Sequence, residues 1–566
     1  MTPSNRELDQ LRSERTELEN HYIDELVNGN LNRRDFLRRG SMIGMSAPLL
    51  GAILAACGSS SPATSSSASS AATTTAAPAT KGGTLKIGAV APAAAVNPLT
   101  VSDAGGLLML NQTGEFLVFD SNLKLMLEPM LALSWSSNAD ASVWTFKLRP
   151  GVTFSNGQAM TSADVVYTFQ ELSNPSNASN ALSAFTGVLT PSGVKAIDPT
   201  TVQFTLEAPN GNFPYLVSSD NYNAIIVPKG TDFSKWQSTF IGTGAFKLSS
   251  YTQNVGASFV PNPTYWGTKP LLSMTTFSFF TSQTPMITQF QGGAFDVVAQ
   301  FTPAGASAIL NNSSYKIIKL TSSNHRELSM RNDQAPFTDP RVRQAVAYTL
   351  NRPALVQGLL DGDGSVANDY PFGPRFPSTD TSIPQRTQNI SMAKQLLSAA
   401  GHPNGFSVKM DTETYQEIPL LAQAIAQDAK AAGINIALNV ESQTLYYGKS
   451  TFGNSDWLDG AMSLVDYGDR GVPNVFLEAP LTSNGPWNAA RFHNKQYDGL
   501  VKQYVAAVDL STQRKIAGEI ETLLLAETPI IIPYWIDGLT ASTPSVGGLN
   551  PTSIAQLYLN TAYKSA

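Results

Sequence analysis

The chain has 566 residues, 37 Lys and Arg against 43 Asp and Glu, a formal net charge of −6 and 14% charged residues. Neither sign dominates and no basic stripe is present, which argues against nucleic acid as a partner. A single cysteine and four histidines exclude an intrachain disulfide and a cysteine-based metal site.

The leader from Met1 to Asn30 is charged and poorly apolar, a solvated extension. It is followed by "LNRRDFLRR" (Leu31 to Arg39) and an apolar run, Ser41 to Ala56, that ends at Cys57. A basic patch ahead of an apolar segment with small residues is the layout of a secretory signal. The run is too short to span a bilayer, which takes about 20 residues, and Gly44, Pro48 and Gly51 weaken it further as a membrane helix. Arg33 and Arg34 followed by Phe36 and Leu37 resemble the twin-arginine export signal, which implies export of a folded chain. Leu54-Ala55-Ala56-Cys57 resembles the lipobox of bacterial lipoproteins. That resemblance implies removal of residues 1–56 and acylation of Cys57, which would tether the protein to the extracytoplasmic face of a bacterial cell membrane. Residues 57–81 read as a flexible linker: Ser59 to Thr80 has no charge, no aromatic and no large aliphatic residue with which to offset the cost of ordering.

From Lys81 the composition is globular. About 485 residues exceed what one hydrophobic core holds, so two or more lobes are expected. "GGTLKIGAV" (Gly82 to Val90) and "VWTFKLRPGV" alternate as half-buried strands, the second turning at Pro150-Gly151. "TSADVVYTFQEL" opens a helix in which Thr161 and Asp164 form a capping box with Asp in place of Glu. "TTVQFTLEAP" is another strand, stopped by Pro209. In "FTDPRVRQAVAYTL", Asp339 caps, Pro340 occupies the first turn, and Val342, Ala345, Val346 and Leu350 share a face. Asn351 caps the next helix. "SMAKQLLSAAG" and "EIPLLAQAIAQDAKAAG" are helices closed by Gly401 and Gly433. The strand "INIALNV", the helix "STQRKIAGEIETLLLAE" and the short buried strand "TPIIIPYW" complete a mixed α/β pattern.

Six motifs, in order, resemble one family. "MLALSW…VWTFKLRPGVTFSNGQAMTSADVVYTF", "IGTGAFKL" (Ile241 to Leu248), "NPTYWGTKP" (Asn262 to Pro270), "FTDPRVRQAVAYTLNRPALV", "AKQLLSAAGHPNGF" and "SLVDYGDRGVPNVFL" (Ser463 to Leu477) are similar to those of extracellular solute-binding proteins of family 5, the peptide/nickel class serving ATP-binding-cassette importers. The resemblance runs from Lys81 to about Trp535. It implies an α/β, two-lobed periplasmic-binding-protein-like fold of class II, the large peptide-binding type, with ligand enclosed between lobes joined by two crossovers. Residues 82–325 would form the first lobe, with an extra subdomain at 116–194, and 326–534 the second; 535–566 would return to the first. Tyr265 and Trp266 are expected to pack the lobe, and the arginines of "RVRQA" to pair with carboxylates.

The resemblance also indicates a binding site. In peptide-binding members the first aspartate of the "DY" loop pairs with the ligand's α-ammonium; here that residue is Asp466, followed by Tyr467. The tryptophan expected before it is absent, and Asp469 is followed by Arg470 where proline is usual. Two roles are open to Arg470: answering a ligand carboxylate or neutralising Asp469. Tyr222 and Asn223 fall on the first lobe's polar wall, unless they serve only turn chemistry, and Asn97 lies at a pocket edge. Tyr446, Tyr447, Trp457 and Trp487 stack on a ligand or pack the core.

No catalytic constellation stands out. His325, His402 and His493 are isolated, and no Gly-x-Ser-x-Gly elbow or phosphate-binding loop is present. The chain reads as a binding protein without cofactor or metal, a monomer whose partners are a peptide or other small molecule, importer permease subunits and, through Cys57, the membrane. Two classes of function remain open: a transport receptor and a sensor lipoprotein of the same fold. Nickel-chelate and oligosaccharide cargos stand beside peptide for the first.

Overall fold

In the computed structural model of the protein, the described residues are Ile23, Leu26, 81–121, 127–303 and 305–565. The twin-arginine motif, the apolar run, Cys57 and the Ser/Ala/Thr linker lie outside them. The chain divides into a leading unit, Met1–Ala76, and a body, Ala77–Ala566. No helix among the described residues is long and apolar enough to cross a membrane.

Two seven-stranded sheets organise the body. The first runs Lys316–Leu320, Gly538–Ser542, Val297–Phe301, Thr84–Val90, Met274–Phe280, Gly256–Pro261, Phe246–Thr252. The second runs Gly364–Val366, Tyr534–Ile536, His325–Met330, Met462–Tyr467, Phe406–Glu413, Ile434–Glu441, with Ile530–Ile531 paired off this path to His325–Met330. A four-stranded antiparallel sheet, Ala132–Ser137, Val143–Leu148, Thr201–Thr205 and Val194–Asp198, packs Phe146 and Phe204 into the core of the first sheet.

The chain passes from the first sheet to the second between Leu320 and His325, and returns between Ile536 and Gly538. These crossings differ from the expected boundaries at 325/326 and 534/535 because His325 and Trp535 pair with each other inside the second sheet. The two crossovers also bond to each other: Ser322 Oγ donates to the Ile536 carbonyl at 2.5 Å, and the Ile536 N–H donates to the Asn324 carbonyl at 2.8 Å.

Local signals account for many of the helices. The Thr161 N–H donates to Asp164 Oδ2 at 2.7 Å and Thr161 Oγ1 accepts from Ala163, so the box closes with Asp as it would with Glu. Asp339 and Asn351 cap Pro340–Thr349 and Arg352–Leu360. Val342, Ala345 and Val346 pack with Leu421 and Ile425 of Ile418–Lys430 over the second sheet, each large aliphatic contributing about 1.5–3 kcal/mol by burial. Arg341 pairs with Asp339. Arg343 is buried, pairs with Glu527 and donates to the carbonyls of Glu527 and Thr528, satisfying the C-terminus of Leu510–Glu527. The helix Ala104–Thr113 has no polar face: nine of its ten residues are buried. Gly105 lets it approach the first strand, where a Cβ would stand 2.4 Å from the Val90 carbonyl oxygen.

"GTGAF" and "NPTYW" meet at one buried carboxyl. Glu115 accepts from Thr243 Oγ1 at 2.8 Å, Tyr265 OH at 3.0 Å and Trp266 Nε1 at 2.8 Å. Burial nevertheless pushes Glu115 up to about 7.

Candidate ligand-binding cleft

The site grows from the register of two central strands. Arg326 lies opposite Asp466, and His325 opposite Tyr467. Side chains alternate along a strand, so Arg326 and Asp466 share one face of the sheet and His325 and Tyr467 the other.

On the first face the Arg326 guanidinium is occupied. Nε donates to Glu417 Oε1 at 2.8 Å, and Nη2 donates to Glu417 Oε2 at 3.1 Å and Gln416 Oε1 at 2.7 Å. Asp466 meets the Tyr447 hydroxyl, 3.0 Å from Oδ1; the same hydroxyl lies 2.7 Å from Glu413 Oε1. A phenol has one proton and donates to one of these carboxyl groups at a time. Burial pushes Glu413 up to about 7, and the neighbouring charge of Asp466 pushes the same way. The result is a cluster of two carboxyl groups around one phenol, with Glu413 buried and Asp466 and Tyr447 half-buried. Glu413 belongs to no motif. Its one signal is position, at the end of a strand running parallel to Met462–Tyr467.

The second face is aromatic. Tyr467 stacks on His325 with ring centroids 5.4 Å apart, and Phe476, Trp487 and Trp535 close around them. Burial lowers His325 to about 4, so its ring is neutral at ordinary pH. Trp457 packs between Tyr447 and Trp487. Tyr446 is fully buried and donates to the Leu464 carbonyl at 2.9 Å, a packing role. Of the four predicted cleft aromatics, only Tyr447 and Trp487 are half-buried.

Asn97, Asn223 and Tyr222 lie with the first sheet's core. Asn97 Oδ1 accepts from the Leu99 N–H at 2.9 Å, and Asn223 Nδ2 donates to the carbonyls of Pro98 at 2.8 Å and Val101 at 3.0 Å. Those two asparagines therefore brace one turn. Tyr222 has the Arg470 guanidinium 5.5 Å from its ring centre. The ring and the guanidinium border a small cavity of about 30 Å³, together with Asn180, Asn221 and Asp220. A second cavity, of about 190 Å³, lies beside Glu115.

A buried ion cluster, of which only Asp469 belongs to a motif, lies between the segments around the two sheets. Arg375 donates through Nη2 to Asp120 Oδ2 at 2.7 Å, lies 3.5 Å from Asp220 Oδ1, and donates through Nη1 to Asp469 and Ser553. Asp469 also accepts from the N–H and hydroxyl of Ser323 and from Ser553 Oγ. Its charge is thus answered by Arg375, and Arg470 is not its counter-ion. Burial, then the charge of Asp120, raises Asp220 well above the ordinary aspartate range. Among the described residues no group of three or more His, Cys, Asp or Glu side chains is arranged to hold a metal ion.

Two sheets linked by paired crossovers, with charged and aromatic side chains gathered where they meet, define a two-lobed α/β binding protein of the periplasmic-binding-protein type. The model of bacterial extracellular solute-binding proteins, family 5 Middle, matches residues 126–486, and the chain belongs to that family. It is a solute-binding protein, not an enzyme. It is 26% identical over 473 residues to the dipeptide-binding protein DppE of Bacillus subtilis, covering 77% of this chain and 84% of that protein. With the heme-binding protein A of Haemophilus influenzae it shares 24% over 459 residues, 75% of this chain and 81% of that one. The periplasmic binding protein DppA of Helicobacter pylori in complex with the peptide STSA superposes with a TM-score of 0.72 at 19% identity, covering 86% of this chain and 99% of that chain.

Proposed function

We propose that this protein is a membrane-tethered extracytoplasmic receptor that captures a peptide between two closing lobes and delivers it to an importer permease. The lobes divide at the paired crossovers, the C-terminal segment returning to the first. Export by the twin-arginine signal and acylation of Cys57 would hold the receptor, a monomer, near its permease.

The observation that carries the peptide reading is the Asp466–Tyr447–Glu413 pocket. It holds two carboxyl groups and one phenol, and the nearby guanidinium is already committed to Glu417. A peptide's α-ammonium would add a second positive charge beside Arg326 and up to three donors, and closing the lobes over it would remove water from the pair. Tyr447, half-buried beside Asp466, would flank the adjoining residue.

The test is a thermal-shift screen of the purified protein against dipeptides, tripeptides, oligosaccharides and nickel chelates. A ligand that binds only the native state raises the melting temperature. Shifts confined to a subset of peptides support the reading; shifts with sugars or chelates alone reject it.

A further inference from the structure

We propose, resting on the peptide reading, that Arg470 grips a carboxylate of the cargo, above the Tyr222 ring at the junction of the two sheets.

Arg470 has no acid of its own. The adjacent Asp469 is held by Arg375, Ser323 and Ser553. Among the described residues, the Arg470 guanidinium donates only to the Asp469 backbone carbonyl, through Nη1 at 2.9 Å. Asp220 borders the same cavity but leans toward Arg375, 3.5 Å from its guanidinium. A half-buried guanidinium with most of its five donors uncommitted is suited to a planar two-oxygen anion.

Its position is fixed from two sides. The Arg470 N–H donates to Ser323 Oγ at 2.8 Å, anchoring the backbone to a crossover. The Tyr222 ring, 5.5 Å from the guanidinium, comes from the other sheet's body. A guanidinium over an aromatic face still presents its N–H edge sideways, toward the cavity. Asn180, Ser183 and Asn221 line the same cavity with their side-chain donors given to backbone carbonyls, which leaves the Arg470 edge to meet an anion there. The enclosed space of about 30 Å³ holds little more than a carboxylate group, so the rest of the cargo would lie outside it.

The carboxylate grip forms only when Tyr222 and Arg470 are brought together, so a cargo carboxylate favours the closed arrangement. Amidation of the peptide C-terminus removes the charge and turns one acceptor into a donor facing other donors.

The experiment measures, by isothermal titration, matched di- and tripeptides as free acids and as C-terminal amides, on the wild type and on Arg470→Gln and Arg470→Lys. Expected are at least about tenfold tighter binding of the free acid by the wild type, loss of that preference in Arg470→Gln, and its partial return in Arg470→Lys. Equal binding of acid and amide by the wild type, or a preference that survives Arg470→Gln, overturns the grip and leaves the peptide reading standing. Absence of binding by every peptide in both forms overturns the peptide reading itself, and the grip with it. The wild-type comparison decides even where a variant fails to fold.

Discussion

Arg375 donates to Asp120 across the junction of the two sheets, Nη2 to Oδ2 at 2.7 Å, and both side chains are buried. One guanidinium there serves three aspartates. Breaking a buried pair by removing one partner costs about 3–5 kcal/mol, because the remaining charges lose their only answer. Arg375→Met is expected to lower the urea midpoint by a corresponding amount. Asp220→Asn should behave oppositely. The folded protein raises the proton affinity of Asp220, so the wild type loses stability as pH rises from the ordinary aspartate range through that raised value. Asp220→Asn removes this loss, and its advantage in urea should grow with pH.

Glu413 gives a pH signature of its own. Its pKa rises from 4.5 to about 7 in the folded state. The stabilisation from its protonated form is complete below pH 4.5 and lost as pH rises through 7. Glu413→Gln should therefore melt above the wild type at pH 8, the gap closing toward pH 5. A gap of constant size across that range would contradict the assignment.

Asp466→Ala is expected to weaken peptide binding at least about tenfold, and the wild type should discriminate as strongly against N-acetylated peptides. Titration of both peptide forms on both proteins closes the cycle. Unchanged affinity in Asp466→Ala removes that residue from the site.

Gly471 packs so closely that a Cβ would lie 2.0 Å from Asp220 Oδ2. Gly471→Ala should weaken cargo binding without altering any charge in the cleft, and Asp220→Gly should restore much of it. Binding measured on the two single variants and the double gives the coupling directly.

Cys57→Ser should abolish incorporation of labelled palmitate, and replacing Arg33 and Arg34 with lysines should leave the precursor inside the cell. Labelling that persists in Cys57→Ser would refute the anchor.

Local chemistry was readable in the sequence. The caps at Thr161, Asp339 and Asn351 and the terminal glycines 401 and 433 stand where a short window suggests. The helix Ala104–Thr113 has no readable periodicity, because burial on nearly every side removes it. The site was only partly legible. Asp466 came from a motif, but Glu413 reaches it through strand pairing, and Arg375 meets Asp120 from 255 positions away in the chain. Tyr446 and Tyr447 look alike in the sequence, yet adjacent helix positions point about 100° apart: one is enclosed, and the other touches both carboxyl groups.

The two crossovers are laced together, Ser322 to Ile536 and Ile536 to Asn324. Sliding one half past the other would strain both bonds at once, whereas flexing like the spine of a book strains neither. Asp469 grips Ser323 on that same spine, so a load on the neighbouring Arg470 is felt where the book folds.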